Sequence, residues 1–102
     1  MQPSLYLNRV KSKARQLKIK FDDISVSSNS SKKFMLTYNN KTIHFGNRGS
    51  NDYIILQLTN NPDADKIRAN YRARHSKIKT KNGSLAYQIE YSPAYLSYHL
   101  LW

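Results

Sequence analysis

Apolar positions along the first twenty residues recur at Leu7, Val10, Ala14 and Leu17, in steps of three, four and three. That spacing places them on one face of a helix running from about Asn8 to Lys18, with Asn8 as the candidate N-cap. Lys11, Arg15 and Lys18 form a cationic stripe beside the apolar one. The period then changes to two: Ile24 and Val26 alternate, Phe34, Leu36 and Tyr38 alternate, and Ile43 and Phe45 flank His44. Such alternation predicts a three-stranded antiparallel meander over residues 24–46. Asn39-Asn40 supplies a two-residue turn, because Asn tolerates the left-handed backbone a tight hairpin needs. Asn29-Ser30-Ser31 supplies a looser one.

From Ser50 the helical period returns. Ser50 is the candidate cap of a short helix carrying Tyr53, Ile54, Leu56 and Leu58, with Asp52 in its first turn complementing the helix dipole. Asn61-Pro62 then reads as the cap and first position of a third helix, in which Ile67, Tyr71 and Ile78 share a face with the stem of Arg74. Arg68, Arg72, His75 and Lys79 make its neighbouring stripe. Asn82-Gly83 breaks the chain, and Ser92-Pro93 repeats the cap-plus-proline signal before "PAYLSYHLLW", a final helix over residues 92–102. The expected architecture is α+β: one domain, residues 1–102, with a small three-stranded antiparallel sheet and three to four helices packed on it. Within it lie a basic N-terminal helix (1–20), the meander (24–46), the helices of 50–81 and an aromatic C-terminal helix.

Charge changes this picture most. Seventeen Lys and Arg face six Asp and Glu, a formal net charge of +11 with a pI near 10. A chain so charged repels itself when compact and attracts polyanions. Six basic residues fall between Arg9 and Lys20 and seven between Lys66 and Lys81, with almost no acids among them. A merely solvated helix face mixes both signs, so Arg9, Lys11, Lys13, Arg15, Lys18, Arg48, Arg68, Arg72, His75 and Lys79 are the candidate polyanion-binding residues. Eight of the aromatic residues are tyrosines, which suit half-buried surfaces because each hydroxyl needs a partner. Tyr95, Tyr98, Leu101 and Trp102 are accordingly the candidate partner interface.

Other chemistry is poorly served. The chain has no cysteine, which excludes disulfides, thiolate catalysis and cysteine-based zinc sites and suits a reducing compartment. No segment reaches the roughly 20 apolar residues of a membrane span, and the N-terminus places apolar residues before basic ones, the reverse of a secretory signal. The three histidines lack ligand spacing, so no metal or other cofactor is expected. His44 and Asp52 could be drawn as a triad with one of many serines, but no nucleophile elbow accompanies them. "HFGNRGSND" is not a Walker phosphate loop; its glycines read best as a sharp turn from strand to helix, and Arg48 with the following helix start as a lesser candidate for holding an anionic side chain.

Taken in order, "KKFMLTYNNKTIHFGNRGSNDY", "YRARHSKI" and "SPAYLSYHLLW" resemble a family of short, basic, uncharacterised proteins of nucleocytoplasmic large DNA viruses. The matching positions are Lys41, Ile43, Phe45, Gly46, Gly49, Asp52 and Tyr53; Tyr71, Arg74 and His75; and Ser92, Tyr95, Ser97, Leu100, Leu101 and Trp102. The resemblance runs from about Lys32 onward. It departs at "ILQLTNNPDAD", where that family often has a short H-K-D link, so an enlarged helix or loop is expected there. It implies a viral origin, in a family with no established enzymatic role, and a non-enzymatic protein is expected. Two destinations follow. One is the virion shell, as a minor capsid component bridging acidic surfaces of capsid or other viral proteins. The other is the genome, as a DNA-binding or packaging protein without sequence readout. The aromatic C-terminus favours the shell.

Overall fold

A computed structural model describes residues 3–102. The fold is α+β. Helix α1 (Pro3–Gln16) leads into an antiparallel sheet of β1 (Asp23–Val26), β2 (Lys32–Tyr38) and β3 (Lys41–Asn47), in the order β1-β2-β3. Helices α2 (Tyr53–Leu58) and α3 (Ala64–His75) follow. After a 3-10 turn, the C-terminal helix α4 begins at Pro93 and passes at Ser97 into a π-type turn that runs to Leu101.

The meander matches its expected limits to within one residue. Phe34 and Leu36 are buried and pair with Phe45 and Ile43, so the alternating apolar set faces the core as one surface. Asn39 and Asn40 both take positive φ, 55° and 62°, and close the β2–β3 hairpin through Tyr38 and Lys41. Val26, at the end of an edge strand, is 54% exposed. It pairs with Phe34 and lines a shallow groove beside it.

The N-terminal helix is displaced from its expected limits. It starts five residues before Asn8 and buries Tyr6, Val10 and Ala14, while Leu17 is exposed. The reason lies at its end. Lys18 adopts φ 60°, its N–H bonds the Arg15 carbonyl at 3.1 Å, and the Ile19 N–H bonds the Ala14 carbonyl at 2.9 Å. This is a Schellman closure, and it turns Leu17 outward while folding Ile19 back into the core. Asn60 (φ 54°) closes α2 in the same way, with Asn61 N–H on the Leu56 carbonyl at 2.9 Å.

Helix starts also differ from expectation. Asp52, not Ser50, caps α2, accepting from the Ile55 N–H at 2.9 Å. Asn61 does not cap α3 directly; its side chain accepts from the Asp63 N–H at 2.8 Å, forming a turn that delays the helix to Ala64. The same helix ends at His75, so Ile78 lies beyond it and is exposed rather than on its buried face. Ser92 does cap α4, accepting from the Tyr95 N–H at 3.1 Å with Pro93 at the first position.

One buried cluster joins α1, the sheet, α2 and α4. Leu96, Leu100 and Leu101 of the last helix are at most 1% exposed. Gly46 lets that helix approach β3: its φ is 78°, its N–H donates to Ser97 Oγ at 3.1 Å, and a Cβ there would lie 2.8 Å from Leu101 Cδ1. Gly49, at φ 91°, has no such neighbour. Both positions resist a side chain through backbone strain of about 1–2 kcal/mol, but only Gly46 adds an overlap worth about 1–3 kcal/mol more. Gly46→Ala should therefore lower the urea midpoint clearly more than Gly49→Ala; equal losses would show that the close approach to Leu101 carries no weight.

The deepest polar group is Asp52, 0% exposed. Besides capping α2, its carboxylate accepts from Lys33 Nζ at 2.8 Å and from the Tyr6 hydroxyl. Breaking such a buried pair on one side costs about 3–5 kcal/mol, because it strands the other charge. Asp52→Asn should lose stability on that scale in denaturant unfolding, and adding Lys33→Met should restore part of it. A double variant no more stable than Asp52→Asn alone would remove the stranded lysine as the cause.

Candidate polyanion-binding surface

The two cationic stripes come together through packing. α1 and α2 touch, α2 and α3 touch, and this brings Arg9 and Lys13 of α1 close to Arg68 and Arg72 of α3. The ten candidate residues then divide by how their side chains are occupied.

Several are held by the fold. Arg68 Nε donates to the Trp102 main-chain oxygen at 2.7 Å, and Arg72 Nε to the same oxygen at 3.3 Å. Their guanidinium groups lie over the rings of Tyr53 and Tyr98, at 4.6 and 4.8 Å. These two arginines cap the end of the last helix, where carbonyls otherwise lack partners. Arg48 donates to the carbonyls of Lys32 (3.1 Å) and Ser27 (3.3 Å), tying the segment after β3 to the start of β2 and the end of β1. Lys11 pairs with Asp23 at 3.7 Å, and Arg15 lies over Phe21 at 5.6 Å. His75 stacks on Tyr71 at 3.8 Å, and burial, then the Arg74 charge, lowers its pKa, which disfavours its charged form.

Others are open. Lys18 and Lys79 are exposed, as are Lys20, Arg74, Lys77 and Lys81 in the same two runs. Among the described residues, only Lys11 and Lys33 of the seventeen Lys and Arg are ion-paired to a carboxylate. The positive charge of the surface is thus largely uncompensated.

Three of the four residues expected to form a partner interface are buried within the chain. Tyr98, Leu101 and Trp102 are 9%, 1% and 8% exposed. Trp102 stacks on Tyr71 at 4.0 Å with an interplanar angle of 7°, extending the His75–Tyr71 pair into a column of three rings. Tyr98 lies against Tyr87 at 4.5 Å, and Tyr95, half-buried, against His99 at 4.5 Å. The aromatic segment packs largely within its own fold, with Tyr95 still half-exposed.

Beside this column lies a cleft of about 440 Å³, between the β2 start, the residues after β3 and the end of α3. Lys32, Arg74 and His75 contribute to its walls with Asn47, Ser50 and Ser97. Among the described residues no Asp or Glu side chain lines it. His44, singled out with Asp52 for a triad, instead pairs its Nδ1 with Ser27 Oγ at 2.7 Å, while Asp52 is committed to Lys33, Tyr6 and the α2 N–H. Among the described residues no three His, Asp or Glu side chains gather to hold a metal ion, and no helix is long and apolar enough to cross a membrane.

Sequence reasoning missed Lys33 and Tyr6 because their partner is 19 and 46 residues away. It also missed Arg74 as an open cation, having assigned its stem to the buried face of α3. The one signal available was that Asp52 stands alone in a long basic stretch.

Comparison with curated proteins and with solved structures finds no match. A family match covers residues 22–75, the whole sheet with α2 and α3, including Lys33, Gly46, Asp52, Tyr71, Arg74 and His75. The matched segment is more than half of the chain, and the protein belongs to this family, described as a family of unknown function (DUF5754).

Proposed function

We propose that the chain is a non-enzymatic, polyanion-binding protein of a large DNA virus, whose exposed cations contact nucleic-acid phosphates without reading bases. The viral setting rests on the sequence resemblance from Lys32 onward. The binding rests on one observation: the excess of Lys and Arg is almost wholly unpaired and lies on both basic runs. Phosphate contacts of this kind set affinity and position but carry no sequence information.

A second reading is a minor capsid component that bridges acidic protein surfaces. With Tyr98, Leu101 and Trp102 buried, the C-terminal aromatic residues give it less support. What supports it is an apolar groove of about 380 Å³ between Val26, Phe34 and Ile55, with Arg48 at its edge, suited to an acidic segment with an apolar side chain.

Arg68 and Arg72 are poor probes because they hold the last helix. Lys77, Lys79 and Lys81 are exposed and free of carboxylate partners. For mixed-sequence duplex DNA, the affinity of the intact protein should fall steeply with salt, and changing all three lysines to Gln should flatten the log–log slope by about 2–3, close to one per phosphate contact. An unchanged slope, or retention of the protein on emptied capsids in high salt with no duplex affinity, would favour the bridging reading instead.

A further inference from the structure

Arg9, Ser12, Lys13 and Gln16 stand at i, i+3, i+4 and i+7, so all four face one side of α1. There they line a small groove of about 210 Å³, closed by Tyr53 and Gln57 of α2 and Arg68 of α3. Arg9 Nη2 donates to Gln57 Oε1 at 3.2 Å, which fixes one wall. Arg68 is fixed as well, by its bond to the Trp102 oxygen and its place over Tyr53. Its Nε is occupied there, while the guanidinium carries further donors on its two terminal nitrogens.

The nearby acids are already engaged. Asp52 is committed to Lys33, Tyr6 and the α2 N–H, and Asp65 accepts from the Tyr53 hydroxyl at 2.6 Å. Lys13 is half-buried with no carboxylate in ion-pair range. Burial, then the charges of Arg68 and Arg72, lower its pKa to about 8, with Asp52 opposing and Arg9 adding to the fall. Among the described residues no acidic side chain lines this groove, so the fold holds three cations around it with no carboxylate in ion-pair range.

We propose that this groove is a discrete binding site for one phosphate group, held by Arg9, Lys13 and Arg68 with the Ser12 hydroxyl as a further donor. Charge-assisted bonds from two guanidiniums and an ammonium suit a tetrahedral oxyanion. The groove falls below the about 300 Å³ at which pockets for drug-sized ligands begin, which fits a single phosphate better than a whole nucleotide. The site is independent of the diffuse contacts on Lys77, Lys79 and Lys81.

The test is an NMR titration of the full chain with inorganic phosphate, against chloride at matched ionic strength. Phosphate should give saturable shifts at Lys13 and Arg9 and raise the Lys13 pKa toward its ordinary value. Lys13→Met should weaken binding by about tenfold or more, the worth of one charge-assisted hydrogen bond, while Lys77→Gln should leave it unchanged. If Lys13→Met is poorly folded, Ser12→Ala gives a second reading through a smaller loss of affinity. Non-saturating shifts, or saturation indifferent to Lys13→Met in a folded variant, would overturn the proposal. Competition by a 5′-phosphorylated but not an unphosphorylated short single strand would identify a strand end as the source of the phosphate. Competition by neither would identify a small free phosphate. Phosphate saturation without duplex binding would remove the nucleic-acid reading and keep this one; duplex binding without saturation would do the reverse.

Discussion

A single carboxylate organises the molecule. Asp52 sits at the start of α2, receives Lys33 from β2 and Tyr6 from α1, and is sealed from water. Three elements distant in sequence thereby meet at one charge. In so basic a chain an acid is scarce, and burying it would be unfavourable without a cation and further donors around it. The geometry supplies both. Desolvation makes the arrangement exacting, since neither Lys33 nor Asp52 can be satisfied by solvent if the other moves.

The same scarcity of acids explains why the arginines matter to the fold. With few carboxylates to receive them, Arg48, Arg68 and Arg72 turn to main-chain oxygens and aromatic rings. Arg is suited to this because its planar fork can donate along an edge while its face rests on a ring. The chain thus divides its positive charge. One set is immobilised and serves the ends of structural elements; the other projects into water as the long-range field. The two sets are interleaved along the sequence, with Arg72 structural and Arg74 open two residues later.

This interleaving sets what could be read without coordinates. The strands were legible because Phe34, Leu36, Ile43 and Phe45 alternate cleanly, and the hairpin because adjacent asparagines tolerate left-handed backbone. Ser92-Pro93 marked the last helix through purely local chemistry. The start of α1 was not legible, because Tyr6 is drawn in by partners on β2 and before α2. Its end was hidden too: Lys18 takes a conformation usually left to Gly or Asn. At the candidate site, spacing identified the cationic residues but not their occupation. Whether Arg68 faces solvent or the Trp102 oxygen depends on how α3 packs against α4. The tyrosine-rich ending looked like an interface for a similar reason, since composition counts rings and hydroxyls but not the neighbours they find.

The column of His75, Tyr71 and Trp102 has an optical consequence. The protein contains one tryptophan, held nearly parallel to Tyr71 and shielded by its surroundings. Its emission therefore reports the seating of the last helix on α3 and little else. Far-ultraviolet dichroism averages over every helix and strand, so the two signals view different parts of the molecule. Agreement between their transitions would mark a single cooperative unit, and an earlier change in fluorescence would mark detachment of the last helix while the sheet remains intact.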